Sequence, residues 1–461
     1  MALFSRGSAG SRRFLGWGVC ALAVVLSAGA AFGANQTFNT TYKSSITTDG
    51  GGPLDLVMRL NYDDARANAP IMVLMHGYSS GSNLIASYDA NAQRLRDAGF
   101  FVITVAMRGR EGSDGVRDSG ALEIYDIYDA VQAAKTTYAA RVNPNNVSIT
   151  GYSGGGGNTM SALTKFPDTF RVGASYFGMS DYGYNATSGW YFDGSSSAHR
   201  TQMNTDIGNP TTGGPAVLDK YMARASNLAS MNNPYSEIHL FANENEPTCP
   251  PINDITYRNN AIAQASYAGQ FNNITVHTGT VTPTYQDFDG DSVNDANEQQ
   301  WWPHGAPTVT QQYSSEAWYL SRLVSGAIAQ PVLNAADTLF VAGYVKTKPF
   351  ECWLGDGTNA AGDLTYSLSS DQKTFELQIA TSNKSATGWI SIDTADMAGD
   401  PVRVFRDGIL VDTFTGGGLY RYNGLADGQT LTLVPEPATL ALFGVGAALT
   451  ALRARRRRAG R

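Results

Sequence analysis

The stretch Ile149–Phe166, ITGYSGGGGNTMSALTKF, decides how this chain is read. A short run, Asn146–Thr150, leads as a buried strand into Gly151-Tyr152-Ser153-Gly154-Gly155, and a helix is expected to begin near Gly155. A G-x-S-x-G turn between strand and helix lifts a nucleophilic serine to the apex, where its neighbours cannot be bulky. The first helical turn then points N–H groups at any anion formed there. A near copy, GYSSG at Gly77–Gly81, follows the apolar run Ile71–Met75 and the pair His76-Gly77. With 49 glycines in the chain the pentapeptide alone decides little, so context must separate the two. Ser153 is expected to be the nucleophile. The earlier loop is expected to lend the Tyr78 N–H to an oxyanion, with the Gly154 N–H as second donor.

Around this turn, apolar strand-like runs alternate with helical spacing. Strands are expected at Pro53–Tyr62, Ile71–Met75, Phe100–Met107, Arg171–Phe177, Ser236–Ala242 and Asn273–His277. Helices are expected at Leu84–Ala98, Ala121–Ala139, Asp254–Ala268 and Thr308–Ser325. Apolar strands alternating with helices predict an α/β fold, a doubly wound, mostly parallel sheet covered on both faces. From about Gln330 the pattern alternates in twos, and Asp407-Gly408 marks a hairpin between Val402–Phe405 and Ile409–Asp412. A small antiparallel β domain is expected there, giving units at 1–34 (export signal), 35–329 (catalytic), 330–433 (β-rich) and 434–461 (sorting tail).

In the fold expected here, with the nucleophile on a strand-turn-helix elbow, the triad runs in the order Ser, acid, His. His76 precedes it, His239 and His277 sit in strands, and His199 lies in a Ser-rich insertion. His304, in WWPHGAP after all the core strands, is the expected base. The acid is expected after the strand EIHLFA, in NENEPTCPP, where Glu246 is preferred and Glu244, Asp254 and Asp181 are rivals. Together these groups would run acyl transfer: His304 deprotonates Ser153, Glu246 orients the imidazole, and water cleaves the acyl-enzyme.

The two ends read as sorting signals. Arg6, Arg12 and Arg13 precede an apolar core ending in small residues, so cleavage is expected near Gly33 or Ala34. At the other end Pro-Glu-Pro, an apolar run and an arginine cluster resemble the PEP-CTERM sorting signal of Gram-negative bacteria. That resemblance implies export, a short membrane-crossing segment, an exosortase-type processing enzyme as partner, and a cell-surface or matrix destination. Without both ends the chain carries a net charge near −15, which argues against nucleic acid as a partner. Cys249 and Cys352 then remain, candidates for a disulfide or two buried thiols.

Across about Pro53–Ser325 the chain resembles the α/β-hydrolase superfamily, and its middle is most similar to the catalytic domain of the prolyl oligopeptidase family. MRGREGSDG resembles an R-G-x-G-x-S segment of that family, and DIYDAVQAAKTTYAARVNPNNVSITGYSGGG its long helix and elbow. The resemblance implies a secreted serine hydrolase cleaving peptide or ester bonds, needing no organic cofactor, with Arg108 structural. No β-propeller precedes the domain, and SGGGG with ANENEPTCP also resembles lipases and polyester hydrolases. Esterase activity on acyl or acetyl-sugar groups is therefore one alternative, and an inactive surface binding protein another. The aromatic insertion YFGMSDYGYNATSGWYFDG is a candidate lining for the cleft.

Finally, DFDGDSVNDANE places Asp287, Asp289, Asp291, Asp295 and Glu298 at positions 1, 3, 5, 9 and 12, with the Val293 carbonyl at 7. This is the oxygen-ligand spacing of a calcium loop, with Ser292 where glycine is usual at position 6. A structural Ca2+ that stiffens the His304 loop is expected.

Overall fold

A computed structural model describes residues 34–46, 52–78, 84–243, 246–263, 273–279, 284–285, 292, 299–300, 328–354, 361–369, 371, 373–381 and 388–436. The first sheet has eight strands: β1 (Asn35–Lys43), β2 (Asp55–Asp63), β3 (Ala69–Met75), β4 (Phe101–Val105), β5 (Val142–Tyr152), β6 (Val172–Tyr176), β7 (Glu237–Asn243) and β8 (Ile274–Gly279). Their order is β1-β2-β4-β3-β5-β6-β7-β8. The β1–β2 and β2–β4 pairs are antiparallel, and every pair from β4 to β8 is parallel. This is an α/β-hydrolase fold.

Strands β3 and β4 are buried along their whole length because both faces of the sheet are covered. Ile71, Val73 and Met75 of β3 enter one core, and Met72 and Leu74 enter the other. The helices are α1 (Leu84–Ser87), α2 (Asp89–Asp97), α3 (Leu122–Thr137), α4 (Gly154–Lys165), α5 (Trp190–Asp193), α6 (Ser197–Asp206), α7 (Pro215–Met222) and α8 (Ile252–Ala263). Ile124, Ile127 and Val131 of α3 and Met160 and Leu163 of α4 fill the first core. Ala92 and Leu95 of α2, with the insertion between β6 and β7, fill the second.

Three departures from expectation have local causes. Asn35–Lys43, ahead of the first expected strand, is itself a strand, β1, because Phe38 and Tyr42 fall on one face and reach the first core. The helix expected over Leu84–Ala98 breaks at Tyr88, whose hydroxyl accepts the Gly77 N–H at 3.0 Å. Strand β5 is longer than the run Asn146–Thr150 because an irregular register opposite Pro70-Ile71 lets Val142 pair with Ala69. The helix expected over Thr308–Ser325 lies outside the described residues.

Thr284–Tyr285 (β9) and Gln299–Gln300 (β10) form a two-stranded antiparallel ribbon. The remaining strands are β11 (Ala336–Ala342), β12 (Tyr344–Lys346), β13 (Phe350–Trp353), β14 (Ala361–Leu368), β15 (Phe375–Thr381), β16 (Gly388–Asp393), β17 (Pro401–Arg406), β18 (Ile409–Thr415), β19 (Leu419–Leu425) and β20 (Thr430–Pro435). They form one antiparallel sheet in the order β18-β17-β20-β15-β14-β11-β12-β13-β16-β19. The two edges curl together, with Phe414 stacked on Tyr420 at 4.3 Å and the Tyr420 hydroxyl donating to Asp412. The β17–β18 turn is Asp407-Gly408 with φ 52° and 80°, the double left-handed geometry of a tight hairpin.

This β unit is docked onto the hydrolase unit by buried polar contacts. The Lys165 ammonium donates to the carbonyls of Ala223 and Ala342, and Tyr344 donates to the Ala121 carbonyl at 3.0 Å. Asn232 bonds both the N–H and the C=O of Phe340. Tyr344 and Trp353 of the β unit belong to the first hydrolase core.

The disulfide does not form. Cys249 lies in the second hydrolase core and Cys352 in the β-unit core, and both are free and buried. Among the described residues no helix is long and apolar enough to cross a membrane, and the C-terminal segment expected to do so lies outside them.

Candidate active site

Ser153 occupies the turn between β5 and α4 at φ 55°, ψ −119°. Two backbone hydrogen bonds hold it there: its N–H donates to the Tyr176 carbonyl at 2.8 Å, and its own carbonyl accepts the Gly157 N–H at 3.0 Å. A non-glycine residue held at positive φ is strained by about 1–3 kcal/mol, and such strain collects at functional sites. The flanking glycines permit it. A Cβ at Gly151 would overlap the Gly155 carbonyl, and one at Gly155 would overlap the Met75 carbonyl.

Gly154 packs against the loop that leaves β3. A Cβ there would overlap both the amide nitrogen and the Cβ of Tyr78, so these two backbones touch. Neither the Tyr78 nor the Gly154 N–H hydrogen-bonds to a described residue in this arrangement. The loop itself is anchored by His76, buried at the end of β3, whose Nδ1–H donates to the Gly77 carbonyl at 2.9 Å. Burial and then the charge of Arg110 push the His76 imidazole down to about 4, so it is neutral. Arg108, at the end of β4, is buried and paired with Asp126 of α3 at 2.5 Å, a structural contact.

Ser153 Oγ lies 3.8 Å from Cys249 Sγ. Cys249 belongs to the loop after β7, where the buried Glu246 turns back on its own backbone. Glu246 Oε1 accepts the N–H groups of Thr248 at 2.6 Å and Cys249 at 3.3 Å. Burial raises the Cys249 thiol far above its ordinary range, so it stays protonated. Nearby, at the start of α8, Asp254 is fully buried, and neither of its carboxyl oxygens has a hydrogen-bond partner. Burial raises its carboxyl well above the ordinary value. Asp181 instead accepts the N–H groups of Gly183 and Tyr184 within the insertion, a turn cap, and burial pushes it up to about 6.

The insertion between β6 and β7 forms a wall beside Tyr78. Its phenol ring meets Trp190 edge-on at 5.2 Å and His199 at 5.6 Å. Trp190 Nε1 donates to the Thr248 carbonyl at 2.6 Å, tying the wall to the Glu246 loop. The Tyr78 hydroxyl bonds Ser119 Oγ at 2.8 Å, and Ser119 donates to Asp206 of α6 at 2.5 Å. Burial pushes the Tyr78 phenol up to about 12.

Ser153, Tyr78, Gly154 and the loop of Glu246 are thus brought together at the C-terminal ends of the parallel strands, where open α/β sheets place their sites. His239 is instead tied to Glu237 on β7 at 3.0 Å. His304, Glu244, Ser79 and the acidic positions Asp287, Asp289, Asp291, Val293, Asp295 and Glu298 lie outside the described residues. Composition and spacing did not reveal that Cys249, His199, Ser119 and Asp206 border the site, because each depends on contacts between distant segments.

Residues 86–207 match the Prolyl oligopeptidase family, and residues 433–458 match the PEP-CTERM protein-sorting motif. Residues 86–207 are thus the part of the chain that is similar to that family. The family segment includes Ser153 and the wall helices but stops before Glu246. Similar solved structures include the uncomplexed acylaminoacyl peptidase of Pyrococcus horikoshii, 15% identical over 66% of this chain and 43% of that one, with TM-score 0.45. A puromycin-hydrolyzing peptidase of Mycobacterium tuberculosis is 19% identical over 53% and 36%, with TM-score 0.40. An esterase of Pyrococcus furiosus is 12% identical over 53% and 83%, with TM-score 0.36. The chain thus spans about a third to two fifths of the length of the peptidases it resembles. A comparison with curated proteins finds no match.

Proposed function

We propose that this chain is an exported serine hydrolase of the prolyl oligopeptidase type, cleaving a peptide or ester bond by acyl transfer from Ser153. The strained Ser153 backbone, with the Tyr78 and Gly154 N–H groups beside it, carries the reading. In this scheme His304 removes the Ser153 proton, and the hydroxyl attacks the substrate carbonyl. The proton then passes to the leaving group, and water releases the acyl group by the same route. The Tyr78 and Gly154 amides hold the oxyanion, each worth about 3–4 kcal/mol in the transition state. Glu246 holds the imidazole: its Oε1 is fixed by two backbone amides, which pre-orients the carboxylate. Asp181 is a weaker choice for this role because its carboxylate caps a turn of the insertion.

The PEP-CTERM motif supports export and surface sorting in a Gram-negative bacterium, with an exosortase-type enzyme acting on the tail. Calcium is proposed for the acidic segment at Asp287, Asp289, Asp291, Val293, Asp295 and Glu298. Two observations favour it. The antiparallel pairing of Thr284–Tyr285 with Gln299–Gln300 brings the chain on either side of this segment together. Ser292, at the sixth position, has φ 63°, the left-handed turn that calcium loops make there. The ion would be structural.

Labelling of the full chain with a fluorophosphonate tests the reading. Labelling that disappears in Ser153→Ala is expected, and an unlabelled wild-type protein would leave only a binding role for the fold. Paired peptide, acyl-ester and acetyl-sugar substrates then separate peptidase from esterase.

A further inference from the structure

The loop between β4 and α3 carries one arginine whose partners are missing. Arg117 is half-buried, and its Cζ lies 5.7 Å from the centre of the Tyr78 ring. Its Nε and Nη2 are buried and form no hydrogen bond. Its neighbours each hold a partner, although Arg108 and Arg110 also leave one buried nitrogen unbonded: Arg108 pairs with Asp126, Arg110 with Glu123, and Arg224 donates to the carbonyls of Asp118, Ser119 and Lys220. Buried donors without acceptors are costly, about 1–3 kcal/mol each and more when charged.

Among the described residues no carboxylate hydrogen-bonds to Arg117; the nearest candidates, Glu123 and Asp206, have other partners. Glu123 is already bound to Arg110 and to the Asp118 N–H. Asp206 is held through one oxygen by Ser119 and through the other by Gln202. The backbone of Arg117 is packed tightly: Gly109, at φ 65°, lets the loop fold so that a Cβ there would come within 2.6 Å of the Arg117 amide nitrogen. The side chain stands against the ring of Tyr78, whose amide nitrogen packs against Gly154 beside Ser153. Outside the terminal signals the chain is strongly acidic, so this cation is a local exception in a field that repels anions.

We propose that Arg117 sets the specificity of the Ser153 site by binding a carboxylate that the substrate carries close to the scissile carbonyl. The proposal rests on the hydrolase reading above. The planar guanidinium takes a carboxylate through two parallel N–H donors, and the Tyr78 ring holds it in line. A neutral substrate leaves those donors unpaired, and a site built to hydrogen-bond a group discriminates strongly against analogues that lack it. The substrate class is acidic: an acyl group ending in a carboxylate, or a peptide with an acidic side chain next to the cleaved bond.

The test compares the full chain on two esters with the same leaving group, p-nitrophenyl butyrate and mono-p-nitrophenyl succinate. At low salt the wild-type kcat/KM is expected to be at least tenfold higher for the succinate. Arg117→Met should lower that ratio at least tenfold, Arg117→Lys should keep part of it, and 0.5 M NaCl should shrink it in the wild type. Glutarate should inhibit butyrate turnover competitively while glutaramide does not, which needs no variant if Arg117→Met fails to fold. Butyrate turnover with no succinate preference, or a ratio unchanged in Arg117→Met, overturns the role of Arg117 and leaves the hydrolase reading standing. Absence of turnover of both esters in a protein that a fluorophosphonate also fails to label overturns both. Ser153-dependent labelling without turnover of the succinate overturns the acidic substrate class alone.

Discussion

Tyr78 and Gly154 meet backbone to backbone, so closely that any side chain at Gly154 would collide with the Tyr78 amide nitrogen. The loop after β3 and the first turn of α4 therefore present their N–H groups as one pair. Gly154→Ala should force the two apart and lower kcat by about 100-fold or more, the effect of losing one oxyanion donor. KM for a small ester should change little. Circular dichroism must show the variant folded, and a kcat within threefold of wild type would remove Tyr78 from the oxyanion site.

The two G-x-S-x-G turns differ in what they can do. Ser153→Ala should abolish turnover and fluorophosphonate labelling, whereas Ser79→Ala should only weaken turnover and still label. Equal loss from the two variants would mean that the first loop holds more of the chemistry than a backbone donor.

The elbow was legible in the sequence because its causes are local: a strand, glycines that relieve an apex, and a helix that starts at once. The alternating β unit and its Asp407-Gly408 turn were legible for the same reason. What the sequence did not reveal depends on contacts between distant segments. Tyr88 breaks its helix to reach Gly77, and Lys165 and Tyr344 lock the β unit onto the hydrolase unit. Cys249 and Cys352 were placed by different cores, and a count of cysteines carries no information about that. The base, His304, stands outside the described residues and rests on chain order alone.

Arg108 and Asp126 form a buried ion pair, with further contacts from the Arg108 N–H and Nε to the same carboxylate. Removing one partner leaves the other charged and buried. Arg108→Met should therefore destabilise the folded chain by about 3–5 kcal/mol, read from urea unfolding. A loss below 1 kcal/mol would show that the pair is dispensable.

If calcium binds the acidic segment between β9 and β10, chelation should lower the melting temperature and slow turnover, and added calcium should restore both. Asp289→Asn should raise the calcium concentration needed for half-recovery. A melting temperature indifferent to chelator would leave the segment as a solvated acidic turn.

Glu246 and Asp254 are two buried carboxyl groups near Cys249 with opposite surroundings. Glu246 accepts two backbone N–H groups, while neither carboxyl oxygen of Asp254 has a hydrogen-bond partner. If Glu246 orients the imidazole, Glu246→Gln should lower kcat by about 10^4, the scale seen when the acid of such a triad is neutralised. Asp254 should tolerate replacement by asparagine. Its folded carboxyl binds its proton well above the ordinary value, so the unfolded chain releases that proton first as pH rises from about 4. Unfolding is then favoured with rising pH, and stability falls by up to about 1.4 kcal/mol per pH unit until the folded group also ionises. Asp254→Asn carries no such penalty, so it should be more stable than wild type at pH 8, by a margin that narrows towards pH 5. Urea unfolding at both pH values reads the margin directly. An Asp254→Asn variant that is less stable at pH 8 and has lost turnover would exchange the two roles, making Asp254 the acid of the site.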